Sequence, residues 1–227
     1  MVTFHHLPII ALTLSMLGCV SSEFVTLPIY ETPSMYVRLE IDRSFGTSHS
    51  HPATLSGDQI SWALSGIIIE EPLARLPILD DMSQPRRHPA FTEKETGMLA
   101  PLLSAALAKA TSEEIVAFYE TTPSSGIRRE VTSGGLFVLD GELHVILANY
   151  RSPTHYMADP GVADTTDDRL APMRPLAPQR GSLDFEPKTA LHKPNMSTFG
   201  KLFHWDRREL IILLSQIPAG SLPNASK

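Results

Sequence analysis

Cysteine is nearly missing from this chain: Cys19 is the single one in 227 residues. That excludes disulfides within the folded body and any zinc site built on cysteine. No segment is apolar for the roughly twenty residues that a membrane-spanning helix needs, so the body is expected to be soluble. Basic residues are also few, 19 Lys and Arg against 25 Asp and Glu, for a net charge of −6. The adjacent pairs Arg86–Arg87, Arg128–Arg129 and Arg207–Arg208 are too small to neutralise a row of phosphates, so no nucleic-acid partner is expected and they read as solvated surface. A phosphate-binding glycine loop, a dinucleotide fingerprint and the paired-histidine motif of metalloproteases are all lacking, and no cofactor is implied.

The first distinctive feature is at the N-terminus. Met1 to Cys19 carries no Asp, Glu, Lys or Arg, with only His5 and His6 before the apolar part, and that part, Leu7 to Leu17, has the length of a signal-peptide core rather than of a membrane span. It ends in Met16, Leu17, Gly18, Cys19. This resembles the bacterial lipoprotein signal, in which a large apolar residue, a smaller one and then Gly or Ala precede the lipidated cysteine. Gly18 and Cys19 match, while Met16 and Leu17 depart from the commonest choices.

The resemblance covers these nineteen residues alone. It implies removal of a signal peptide, residues 1–18, and lipidation of Cys19 by a diacylglyceryl thioether with a further N-acyl chain such as palmitate. At about 0.8 kcal/mol per buried methylene, one acyl chain holds a protein marginally and two or more hold it stably. In that family an Asp after the cysteine favours the inner membrane. Val20 stands there, so the resemblance implies an outer-membrane anchor facing the periplasm. Residues 19–23, with Ser21 and Ser22, make a very short tether, and folded structure is expected from residue 24 to 217 as a single α+β domain. The tail 218–227 is expected to be disordered.

Within that body, Met35, Val37, Leu39 and Ile41 alternate with Tyr36, Arg38, Glu40 and Asp42, the period of a half-buried strand. Ser56 and Gln59 have capping-box spacing ahead of a helical face of Ile60, Ala63, Leu64 and Ile67. Ile67 to Ile69 either finishes that helix or opens a short strand. Pro72 to Pro89 reads as an irregular crossing loop. Thr92 and Glu95 start another helix with the stripe Leu99, Leu102, Leu103, Ala106, Leu107 and Ala110, kinked or restarted at Pro101. Thr111 and Glu114 then predict a third helix through Ile115, Phe118 and Tyr119, closing a helical hairpin.

Asp140–Gly141 between two apolar runs predicts a β-hairpin with a type I′ turn, pairing Val138 with Leu143 and Leu136 with Val145. Ile127 to Thr132 suggests a preceding strand, with Ser133–Gly134–Gly135 as a turn, bend or bulge. Prolines crowd the stretch from Pro153 to Pro194, which predicts long irregular connections. Leu183 to Phe185 and Phe203 to Trp205 are candidate short strands. Asp206 and Glu209 would cap a last helix carrying Leu210, Leu213, Leu214 and Ile217, although Leu210 to Leu214 suits a buried strand as well. The expected class is α+β, an antiparallel sheet with a β-hairpin packed against a few helices.

Two constellations are candidates for chemistry. His49 and His51 flank Ser50 on what reads as an extended segment, where both imidazoles could face one metal, although two ligands do not make a site. His204, Asp206 and Glu209 lie together beside Trp205 and two arginines, residue types suited to an acid and base pair, but helix capping accounts for the two carboxylates without catalysis. Ser133 is no nucleophile elbow, and Asp140 is hairpin chemistry. The sequons at Asn195 and Asn224 matter only in a glycosylating host. The expectation is a non-enzymatic envelope lipoprotein docking on a partner protein or cell-wall component. The alternative is a tethered hydrolase or metal-dependent enzyme using His49 and His51 or the His204 cluster.

Overall fold

The computed structural model describes residues 27–42, 48–72, 85–124, 129–154, 168–179, 181–192 and 208–219. The signal sequence, Cys19, the tether, His204, Trp205, Asp206 and both sequons lie outside them, as does the expected Phe203–Trp205 strand. Of the expected disordered tail, only Pro218 and Ala219 are described.

The architecture is α+β and mostly sheet. Strands β1 (Leu27–Glu31), β2 (Met35–Ile41), β5 (Glu114–Pro123), β6 (Arg129–Leu139), β7 (Glu142–Thr154) and β9 (Glu209–Leu213) form a six-stranded sheet in the order β1-β2-β5-β6-β7-β9. A smaller sheet holds β3 (Ile67–Glu70) between β4 (Arg87–Pro89) and β8 (Ser182–Phe185). Every pairing is antiparallel. Helices α1 (Gly57–Ser65) and α2 (Glu93–Leu107) arise between β2 and β5 and pack on each other, with α2 lying against β1, β2 and β5.

Both helices start as their capping boxes dictate. Ser56 accepts from the Gln59 N–H while the Gln59 side chain accepts from the Ser56 N–H, and Thr92 and Glu95 repeat the arrangement. Each box satisfies two of the four backbone donors that a helix start leaves unpaired. Helix α2 runs through Pro101 as one element. Val37, Leu39, Val116, Phe118, Leu136, Val138, Leu143, Val145, Leu147 and Ile212 line the inner face of the large sheet, in one buried cluster with Ile60, Leu64, Leu99 and Leu103 of the helices and Ile67, Ile69 and Phe185 of the small sheet.

The hairpin forms as expected: Val138 pairs with Leu143 and Leu136 with Val145, and both turn residues have positive φ, 49° at Asp140 and 81° at Gly141. Two expectations are corrected, the helix after Thr111 and the loop at Arg87–Pro89, and two open alternatives are resolved, as a bulge at Gly134 and as a strand from Glu209. The segment after Thr111 is strand β5, not the second arm of a helical hairpin. The Ser133–Gly134–Gly135 stretch lies inside β6, at a bulge where Ser133 faces Asn149 and Gly134 faces Leu147. A Cβ on Gly134 would stand 1.9 Å from the Ile146 carbonyl oxygen, so only glycine permits that approach. Arg87–Pro89, expected as loop, pairs with β3 as β4. Finally, Glu209–Leu213 is strand β9 and only Leu214–Gln216 turns as a short 3-10 helix, so Glu209 is not a helix cap.

The outer face of the large sheet is covered too. Residues 168–179 cross it, tied down by side chains that point away from the helices. Tyr119 donates to Asp168 (2.9 Å), Ser133 donates to the Pro172 carbonyl (2.7 Å), and Asn149 bonds the Arg174 carbonyl and the Leu176 N–H. Met173 packs near Ile115, Phe137 and Ile146. Buried polar groups are thereby paired rather than stranded.

Candidate functional site

The two histidines singled out by sequence do come together, at the hairpin end of the outer face. The chain from 48 to 51 continues the row of β5: His49 N–H donates to the Ser112 carbonyl and Ser50 N–H to the Val138 carbonyl. His51 completes this edge with its side chain, since its Nε2 accepts the Val138 N–H at 3.0 Å. A buried backbone donor without a strand partner would cost free energy; the imidazole takes the place of the missing carbonyl. That role requires neutral His51 with its proton on Nδ1. Burial first, and the neighbouring His49 second, lower its pKa below the ordinary 6.5.

His49 is turned to different company. Its Nε2 lies 3.3 Å from Asp42 Oδ2, its ring centroid is 4.3 Å from that of Phe137, and the His51 ring is 5.6 Å away. Phe137 also has His144 stacked on it at 4.5 Å, and His144 bonds Glu209 through Nδ1 at 2.8 Å. Glu142, 3.8 Å from His144 Nε2, also takes His192. The arrangement is a row of imidazoles around one phenyl ring, carried by residues 48–51, β6 and β7 and flanked by carboxylates.

A histidine held by a carboxylate is the pairing from which general bases are made. Here, however, the bonds run between elements of the fold. Glu209 to His144 joins β9 to β7, His192 to Glu142 adds residues just outside β9, and His51 joins the 48–51 segment to β6. Buried His144 offers little ring surface to a substrate, and Ser50 Oγ accepts the Asp140 N–H at 3.1 Å. Among the described residues no group of three or more His, Cys, Asp or Glu side chains is arranged to hold a metal ion. Of the second sequence candidate, only Glu209 is described, and its partner is His144. Ser133, expected in a turn, is fully buried and bonded to Pro172 and Asn149.

A second polar group was missed by sequence reasoning. Between the far end of β7 and the small sheet, His88 Nε2 lies 3.1 Å from the Tyr150 hydroxyl. Beside them Arg208 donates to Gln179 Oε1 and to the Gly181 carbonyl. Burial pushes Tyr150 up to about 12 and pulls the Arg208 guanidinium down. Arg86 and Arg208 are half-buried, and exposed Arg87 is bonded to Asp184 (2.6 Å) and Glu186 (2.7 Å). Arg86, Arg87 and Arg208, expected as solvated surface, are therefore bonded to residues in and around the small sheet, while Arg129 is exposed and Arg128 and Arg207 lie outside the described residues. The only sequence signal was Arg86 and Arg87 beside prolines, which does not distinguish packed from solvated guanidinium.

Charge is paired in the same manner over Tyr36 and Tyr119, which stack at 5.2 Å with Arg169 above both. Tyr119 is driven upward in pKa by burial and by the Asp168 carboxylate it donates to. Comparison with known proteins returns no family model, no curated protein and no solved structure that matches this chain.

Proposed function

We propose that this chain is a bacterial envelope lipoprotein, held by lipid on Cys19 and presenting a non-enzymatic α+β body to a partner protein or cell-wall component. Its anchor is in the outer membrane, facing the periplasm, and the proline-rich stretch from Pro153 to Pro194 is read as long irregular connections around β8. The observation that carries the reading is the sequence Met16-Leu17-Gly18-Cys19 after an apolar run, in a chain with no other cysteine. A thioether at Cys19 leaves no thiol to mispair in an oxidising compartment. The distribution of the histidines supports the non-enzymatic part, because His51 and His144 bond Val138 and Glu209 and so join elements of the fold to one another.

The test is Cys19→Ala. It is expected to release the protein from membranes and to abolish fatty-acid labelling, whereas unchanged labelling refutes the anchor. Pull-down from detergent-solubilised envelopes tests the docking role, which fails if nothing co-purifies beyond controls. A stoichiometric metal ion in purified protein that is lost in His49→Ala and His51→Ala would favour the enzyme reading instead.

A further inference from the structure

Among the described residues six large apolar side chains are strongly exposed, and four of them gather on one edge of the molecule. Leu27 (48% exposed) and Tyr30 (39%) belong to β1, Ile41 (52%) ends β2, and Leu170 (64%) follows Arg169. Tyr30 stands opposite Val37 and Leu27 opposite Leu39, so Tyr30, Leu27 and Ile41 occupy three successive same-face rungs, about 6.8 Å apart. On the opposite face of this edge, Arg38 donates to the Leu170 carbonyl (3.3 Å), and Arg169 bonds the Pro33 and Thr32 carbonyls and Glu31.

This edge is also where the chain arrives from Cys19. Eight residue steps separate Cys19 from Leu27, and whatever path they take they span at most about 28 Å, the fully extended limit. We propose that the β1–β2 edge rests on the lipid bilayer, with Leu27, Tyr30, Ile41 and Leu170 entering the boundary between headgroups and acyl chains. The proposal rests on the lipoprotein reading above.

The chemistry of the edge favours lipid over another strand. Pro28 lies within β1 and pairs with Arg38; it has no N–H, so the row of donors that a docking strand would need is interrupted. A tyrosine with a few aliphatic side chains matches the interface zone, where an apolar body and a polar tip are both accommodated. Basic charge is not in excess, since Arg38 pairs with Glu40 (2.6 Å) and Arg169 with Glu31 (3.2 Å). Contact therefore does not require anionic lipid.

The experiment uses the full lipid-bearing chain in phosphatidylcholine vesicles. Tyr30→Cys, Ile41→Cys and Leu176→Cys each add one thiol; with Cys19 consumed as a thioether, it is the only one available for an environment-sensitive fluorophore. Leu176 is exposed but bonded to Asn149 on β7, several strands from β1, and serves as the reference. Labels at 30 and 41 are expected to be quenched by nitroxide lipids roughly twofold or more above the label at 176, as shallow insertion demands. Equal quenching at all three positions on a chain whose N-terminal mass includes the lipid overturns this inference alone. A free thiol at Cys19 in the mass spectrum removes the lipoprotein reading, and this inference with it.

Discussion

Glu120 sits on the inner face of β5, opposite Met35, with Oε2 buried and no hydrogen-bond partner. Burial, followed by repulsion from Glu95, pushes its carboxyl up from the ordinary 4.5 to about 6, against the weaker pull of Lys94. A group with a raised folded pKa favours the fold while protonated, and that contribution is lost as pH climbs through the folded value. Below pH 4.5 the side chain should therefore cost nothing, and above 6 the full penalty applies. The rise corresponds to at most about 2 kcal/mol at about 1.4 kcal/mol per pH unit, and partial hydration reduces it to about 1–2 kcal/mol. Glu120→Gln keeps the shape and removes the charge. In urea unfolding it should match the wild type at pH 4.5 and exceed it by about 1–2 kcal/mol at pH 7.5, or about 2–8 °C in Tm for a chain of this size. A difference that is the same at both pH values, or a less stable variant at pH 7.5, would refute the reasoning.

Three further outcomes are expected. His51 has its pKa lowered, so its contribution is complete above 6.5 and is lost as pH falls from there through the folded value; His51→Gln, which retains an acceptor for Val138 but does not titrate, should show a shallower loss of unfolding free energy below pH 6.5. Identical slopes in the two proteins would exclude this role. Gly134→Ala places a methyl against the Ile146 carbonyl at 1.9 Å and should cost about 2–4 kcal/mol in chemical denaturation, since the contact is with backbone that cannot step aside. Tyr119→Phe removes the donor to buried Asp168 and should lower stability by about 1–3 kcal/mol, with faster amide exchange in residues 168–176 than in β6.

How much of this was legible depended on whether the signal was local. Asp140–Gly141 announces the hairpin because the two positive φ values need those residues, and both helices follow capping boxes whose bonds are all made. The same signal misled at Thr111. Thr111 N–H and hydroxyl do bond the Glu114 carboxylate (2.8 and 3.0 Å), yet the chain then extends as β5. Ile115 to Tyr119 is buried on both faces, one face by the helices and the other by residues 168–176, so its hydrophobic pattern is continuous and has no period to read. Leu210 to Leu214 was ambiguous for a similar reason. At the site, His49 and His51 were visible as a pair, but Phe137, His144 and Glu209 reach them from strands far away in sequence. The band from Asp168 to Gln179 carries its function in irregular backbone, and neither period nor cap marks it.

The extra residue at Ala148 changes what a single strand can serve. Up to Leu147, β7 follows one alternation, with Val145 and Leu147 directed to the helices; after the bulge the phase is shifted by one. Asn149 therefore holds the segment crossing the outer face, and the next side chain, Tyr150, reaches His88 of the small sheet. Were Ala148 instead paired within the ladder, with no bulge, the unbroken alternation would exchange these two destinations, sending an amide into the aliphatic interior and a phenol beneath the crossing segment. One inserted amino acid thus works as a gearshift that couples both sides of the molecule to the same rod of backbone.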